Sequence, residues 1–343
     1  MTVCMREVKL PRAAETHEVC FEPVSRCVFI TQMANSVLVR IPVGPDGMLC
    51  DDQDAWHVGP AHPVTGDGIS GLHNVSLSPA NPGCIWLSLQ FANTVVLVDA
   101  STMATRQVLR VPTMHTREDG SLVRIGGPHC VRECGKTGDI WVALKGSVPC
   151  HPGVTGSCSR SLAAAVTRVC CNAAAIRERM AAHPDGKDEA LAALPEGYAI
   201  WRINPKSYNP LQKPECGGRI YPCEPSPPMM AIDANCDCWV VQDKTPAILR
   251  IDQRSHVAEQ IPVPLPEHWM QMTGPAVVTA PDGTSGLLII KRRYVNEFQA
   301  FEWTISSSSE RYTLQVGLVS LTRSSDAYFC FAPMRVLREN QNS

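Results

Sequence analysis

The sequence predicts an all-β fold, a single β-propeller, on three observations. A unit of about 40 to 50 residues recurs along the chain. Each copy is built of short apolar strands, and Gly, Pro, Asn and Asp punctuate those strands. The clearest copy is GLHNVSLSPANPGCIWLSLQFANTVVLVD, from Gly71 to Asp99: a histidine opens the first strand, a turn leads to a tryptophan strand, and an AN-led strand ends in Asp99.

The copies run in order. In THEVCFEPVSRCVFITQMANSVLVRI, His17 precedes the strand Cys27 to Thr31, and Gln32, Ala34 and Asn35 lead into a strand ending at Ile41. GPHCVRECGKTGDIWVALKG carries His129, a turn at Gly135 to Gly138 and the strand Ile140 to Leu144, with its third strand, YAIWRINP, displaced to Tyr198. PPMMAIDANCDCWVVQDKTPAILRIDQ keeps everything but the histidine, and a fifth fragment begins at Gly274. YTLQVGLVSL, AYFCFAP and MRVLREN supply most of a sixth copy, so six four-stranded antiparallel blades are expected, with seven the alternative. REVKLP is expected to close the ring as the outer strand of the last blade, giving one domain over residues 1–343.

The displacement in the third copy is an insertion, residues 147–196. Leu162 to Ala182 is rich in Ala, Leu, Arg, Glu and Met with apolar residues at i, i+3, i+4 spacing, Pro184-Asp185-Gly186 breaks it, and Lys187 to Leu194 offers a second short helix. A helical insertion on the channel-mouth face is expected, serving as a lid or as a decorative surface pair.

Composition narrows the function classes. Of 343 residues, 44% are hydrophobic and 19% charged, enough for a sizeable core, and a net charge of -2 gives no reason to expect nucleic acid or an anionic membrane. No apolar run approaches the ~20 residues that span a bilayer. MTVCMREVKLPR has no apolar stretch of the export type, so a cytoplasmic protein is expected. Sixteen cysteines, scattered through strands at Cys20, Cys27, Cys84, Cys130 and Cys238, read as small buried hydrophobes in a reducing compartment. Cys130 and Cys134 beside His129, and the CxC of Cys236 and Cys238, lack the paired spacing of a zinc site.

Strand order places the chemistry. Loops into strand 1 and loops between strands 2 and 3 open on one face, because antiparallel strands reverse at each connection. His17, His73 and His129 start first strands; Gln32, Gln90, Lys145 and Gln242 end second strands; both sets therefore meet at one mouth of the channel. His129, His73 and Lys145 are the candidate catalytic residues, and His17, Gln32, Gln90 and Gln242 the candidate substrate-binding residues. Imidazoles can exchange protons near neutral pH or ligate a metal, while a lone histidine is often structural. Trp86, Trp141 and Trp239 read as inter-blade packing, and Asp99 and Asp252 as turn formers. No GxSxG elbow, P-loop, GxGxxG or HExxH is present.

These repeats, with GGPHCVRECGKTGDIWVALK, GLHNVS…GCIWLSLQFANTVVLVD and TPAILRID as the matching stretches, resemble those of virginiamycin B lyase and its relatives, the streptogramin lyases, over roughly Thr16 to Gly283. The resemblance implies a propeller that opens a cyclic depsipeptide by magnesium-assisted elimination, with a first-strand histidine, here His129 or His73, and glutamates at the metal. Gln32, Gln90, Lys145 and Gln242 stand where the second-strand glutamate belongs, and an amide is a poor partner for a hard dication. The expected function is therefore a lyase- or isomerase-like enzyme for a small or cyclic organic substrate, with His129 as base and Lys145 stabilising an enolate-like anion. The alternative is a binding or scaffold propeller without catalysis.

Overall fold

The protein was analysed as a computed structural model that describes, with side chains, residues 9–11, 13, 16–60, 70–145, 197–209, 211, 217–223, 229–242 and 247–262, and as backbone the strands between 269 and 338. The insertion at 147–196 and its expected helices lie outside the described residues, as does REVKLP except Lys9, Leu10 and Pro11, which are in no strand.

Five antiparallel sheets follow one another along the chain. The first is β1 (Thr16–Glu22), β2 (Cys27–Gln32), β3 (Val37–Pro42) and β4 (His57–Pro60). The second is β5 (Leu72–Leu77), β6 (Cys84–Leu89), β7 (Thr94–Asp99) and β8 (Thr105–Arg110), followed by a hairpin of β9 (Met114–Thr116) and β10 (Leu122–Arg124). The third comprises β11 (Pro128–Glu133), β12 (Ile140–Leu144), β13 (Tyr198–Ile203) and β14 (Arg219–Cys223). The fourth comprises β15 (Met229–Ile232), β16 (Cys238–Val241), β17 (Ala247–Ile251) and β18 (Ala258–Pro262). The fifth has five strands: β19 (Trp269–Thr279), β20 (Ser285–Val295), β21 (Phe298–Ser306), β22 (Arg311–Gln315) and β23 (Val336–Arg338).

In every sheet the strands pair in sequence order, and the first strands β1, β5, β11, β15 and β19 lie side by side in that order. Sequential meanders joined along their first strands are the blades of a propeller, with those strands innermost. The core sits between blades. Phe29 and Leu38 of the first pack on Leu72, Leu87 and Val96 of the second. Trp86 of the second packs on Val131, Ile140 and Val142 of the third, and Trp141 of the third packs on Val240 and Leu249 of the fourth. Trp86 and Trp141 are fully buried, as expected of inter-blade residues, and burying a large side chain removes more apolar area from water than any other single device in the blade. Trp239 is only half-buried; its Nε1 donates to Asp233 at 2.9 Å and Arg250 lies over its ring.

The strands expected in a sixth blade fall partly outside the described residues. Strands expected in a sixth blade, at RYTLQ and at Val336–Arg338, pair instead within the fifth sheet, so the described residues give five blades. Leu10 packs not on the last blade but against Val37, Val39 and Ile41 of the first. Cys27, Cys130 and Cys238 are free and buried, as expected, but one pair is not free. Cys134, after β11, and Cys236, before β16, are joined by a disulfide across 102 residues. Turn chemistry agrees: Asp99 accepts from the backbone N–H of Ser101 and Thr102, and Asp252 from those of Arg254 and Ser255.

Candidate functional site at the channel mouth

Each of the three histidines is the second residue of an innermost strand, and each stands in a bulge. Register slips between Thr16 and Val19, between Leu72 and Asn74, and between Pro128 and Cys130, so that one extra residue is accommodated at each histidine. A bulge re-aims a side chain that regular pleating would send to one face of the sheet. The local cause is legible two residues upstream of His73 and His129, where Gly71 (φ 68) and Gly127 (φ 58) take left-handed conformations. At Gly71 a Cβ would also meet the Phe91 ring at 2.5 Å. Left-handed residues of the preceding blade hold both glycines: Ser36 Oγ accepts from Gly71 N at 2.9 Å, and Asn93 Oδ1 from Gly127 N at 2.8 Å.

A second device fixes the histidines themselves. Thr31 Oγ1 of β2 accepts from Glu18 N in its own blade and donates to the carbonyl of His73 in the next, at 2.9 Å each. Ser88 Oγ of β6 repeats the arrangement, accepting from Asn74 N and donating to the carbonyl of His129, both at 3.0 Å. The residue after each histidine reaches the next innermost strand. The Glu18 carboxylate accepts from Val75 N–H and Asn74 Nδ2, and Asn74 Oδ1 accepts from Val131 N and from Arg132. Burial is the largest influence on Glu18 and raises its pKa, against the opposing pull of Arg132 and the Asn74 bond.

The imidazoles form a row. His73 lies 3.7 Å from His17 and 3.5 Å from His129 between ring centroids, tilted by 46° and 44°, while the outer two are 6.2 Å apart. His73 is 2% exposed and His129 7%, whereas His17 is exposed. Burial first, then the fields of His129, His17 and Lys145, push the pKa of His73 well below its ordinary value, and a hydrogen bond with the His129 backbone opposes them. Its Nδ1 is buried without a hydrogen-bond partner among the described residues. Lys145 Nζ is 3.4 Å from His129 Nε2; with the ammonium donating, that nitrogen accepts and the ring carries its proton on Nδ1.

The four polar residues expected at the strand ends separate into two registers. Counting from strand positions paired with the same point of the first strand, Gln32 and Gln242 match Leu89 and Leu144, while Gln90 and Lys145 stand one residue later. Backbone bonds agree, since Gln90 N donates to Gly71 O and Lys145 N to Gly127 O. Gln32 donates to Pro11 O and accepts from Asn35, and Gln242 accepts from Gln260 at 3.0 Å. The structure therefore brings His17, His73, His129 and Lys145 together and gives Gln32 and Gln242 partners of their own. Alignment on the AN dipeptides concealed the shift, because Ser36, not Asn35, is the counterpart of Asn93.

A divalent ion, which the lyase resemblance implies, does not fit this arrangement. The rings stack in a row rather than surround a point, Lys145 places an ammonium against His129, and among the described residues no group of three or more His, Cys, Asp or Glu is arranged to hold a metal. Sequence reasoning missed Thr31, Ser88, Glu18, Asn74 and Arg132. Their signal was a hydroxyl in the second strand and a polar residue directly after the histidine, both of which recur in the first two copies.

No family model matches the chain. No curated protein matches it either. Similar solved structures include hydrazine synthase of Kuenenia stuttgartiensis (11% identity, covering 92% of this chain and 70% of that one, TM-score 0.47). They also include the periplasmic gluconolactonase of Pseudomonas aeruginosa (11%, 93% and 72%, TM-score 0.44). A third is the β-propeller domain of Cps50 (Swd1) of Myceliophteria thermophila (10%, 91% and 89%, TM-score 0.39). Against two other solved structures the chain spans 56% and 52% of their length. The resemblance to streptogramin lyases thus stands on the quoted repeats alone.

Proposed function

We propose that the chain is an enzyme that moves a proton on a small or cyclic carbonyl compound at the channel mouth, in the manner of a lyase or isomerase. The observation that carries this reading is the row itself: a buried imidazole, held neutral, whose Nδ1 has no hydrogen-bond partner among the described residues, lies between two more, and the outer one, His129, meets an ammonium. His17, the open end of the row, meets substrate; His73 and His129 accept and pass the proton; Lys145 stabilises the negative oxygen that develops. Hydrolysis of a cyclic ester draws on the same parts, with the histidine activating water in place of a carbon acid.

A panel of cyclic esters, depsipeptides and carbon acids, followed by product mass, separates elimination and isomerisation from hydrolysis, since only hydrolysis adds water. On the compound turned over, Lys145→Met and His129→Ala should each lower kcat by roughly 10²–10³. Folded variants that keep parental turnover would remove the site. The reading as a non-catalytic binding propeller is favoured by the deep burial of His73 and His129. It takes precedence if a panel compound raises the melting temperature but is recovered unchanged.

A further inference from the structure

We propose that the Cys134–Cys236 disulfide is a redox-sensitive fastening that holds the fourth blade to the third, at a junction where the clamps of the earlier blades are missing. Between the first and second blades, Thr31 bridges to the His73 carbonyl and the Glu18 carboxylate takes the Val75 N–H. Between the second and third, Ser88 bridges to the His129 carbonyl, Asn74 takes the Val131 N–H, and Glu133 accepts from Ser78 Oγ at 2.6 Å and from Ala80 N at 3.1 Å. None of these bonds responds to a reductant.

The third-to-fourth junction is built differently. Ala143 stands where Thr31 and Ser88 carry hydroxyls, opposite Cys130 as Ser88 is opposite Asn74. Cys130 takes the place of Glu18 and Asn74, and its sulfur, a weak acceptor, receives the Met230 N–H. The inner turns of this junction carry the crosslink instead, with Cα atoms 5.8 Å apart and both cysteines at least 96% shielded from solvent (Cys134 3% and Cys236 4% exposed), beside a bond from Lys136 to Ala234 O. Farther out, Arg202 donates to Gln253 O and Tyr221 Oη meets His256 Nδ1, each at 3.0 Å. A bond closing 102 residues restrains the unfolded chain far more than one closing a hairpin. Neighbouring thiols do not compete with it. Burial pushes Cys130 up to about 11 and Cys238 well above the usual thiol range, so neither supplies the thiolate that exchange requires.

Reduction is balanced simply: the two thiols of dithiothreitol lose two hydrogens and close to its cyclic disulfide, while Cys134 and Cys236 each gain one. Such a bond persists in an oxidising compartment, so the proposal also places the working protein there, in contrast to the cytoplasmic expectation. The histidine row, carried by the first three blades, lies outside the fastened junction.

The test uses the full chain purified without reductant. After free thiols are alkylated, non-reducing proteolysis should yield one peptide pair linking Cys134 and Cys236. Dithiothreitol should then lower the melting temperature by about 5–10 °C. It should also speed hydrogen exchange in β15–β18 at least tenfold while leaving β5–β8 unchanged. The variant Cys134→Ser/Cys236→Ser should match the reduced protein and ignore dithiothreitol. Absence of the linked peptide, a linked protein whose melting temperature and exchange ignore reduction, or exchange that accelerates equally in all blades would each overturn the proposal.

Discussion

A buried imidazole stacked between two others is stable only while it stays neutral, and this makes His73 a pH-dependent element. Its folded pKa lies below the ordinary value of 6.5, with burial and then the charges of His129, His17 and Lys145 as the causes. A depressed pKa means the unfolded chain binds the proton first. The stability in question is therefore fully present above pH ~6.5 and is lost as pH falls below it, by up to about 1.4 kcal/mol per pH unit for one proton. Melting temperatures between pH 8 and pH 5 should fall on the acid side, and His73→Gln, uncharged throughout, should flatten that fall; an equal slope in both proteins would assign the acid sensitivity elsewhere. The residues of this row were legible in the sequence because a histidine recurring at one register is a pattern. Their order was not. His17, a candidate for substrate binding by its place in the sequence, lies 3.7 Å from His73 between ring centroids, since three neighbouring innermost strands bring successive side chains together. His17→Ala should therefore impair turnover to within about tenfold of His129→Ala, measured on the same substrate.

At the scale of strands, what holds each histidine is a hydroxyl that belongs to the previous blade. Ser88→Ala would strand a buried N–H on Asn74 and a carbonyl on His129, a loss of about 1–3 kcal/mol. Thr31→Val keeps the shape and strands Glu18 N–H and the His73 carbonyl in the same way, whereas Thr31→Ser keeps the hydroxyl and should stay within ~0.5 kcal/mol of the parent. Urea unfolding of the three variants checks this; a Thr31→Val protein as stable as Thr31→Ser would show the clamp to be dispensable. Apolar runs, turn residues and tryptophans made the strands themselves readable, because strand period and turn chemistry are local. The one-residue offset was hidden because the AN dipeptides of the first two blades align by residue type, whereas Ser36, not Asn35, takes the left-handed place of Asn93, so the register shifts without any change in composition. The disulfide was hidden for a related reason: partners 102 residues apart carry no local signal, and scattered cysteines resemble small core residues until the blades are placed.

At the scale of the whole molecule, the blades are not equivalent. β5 and β11 are buried along most of their length, whereas β1 alternates, with Val19 54% and Phe21 46% exposed. On the same face Val39 and Ile41 are fully buried, with Leu10, Trp56 and Val58 packed against them. Val39→Ala should then cost about 2–3 kcal/mol and Val19→Ala under ~0.5. The insertion offers the sharper test of architecture. Leu144 of β12 pairs with Ala199 of β13, so the two strands that the insertion separates in sequence are adjacent and antiparallel. Joining Gly146 directly to Gly197 leaves a loop of about four residues, a length hairpins use readily. The shortened protein should fold, with its melting temperature within a few degrees of the parent, because Gly197 N keeps its bond to Arg124 O and no blade strand is cut. Lys145 is the last described residue before those of the insertion and lies 3.4 Å from His129. If the inserted residues act as a lid, ligand affinity in the shortened protein should drop at least tenfold, read by the midpoint of thermal stabilisation against ligand concentration. A folded, shortened protein that binds as tightly as the parent would leave the row with no lid, and the insertion as surface decoration on a blade that works without it.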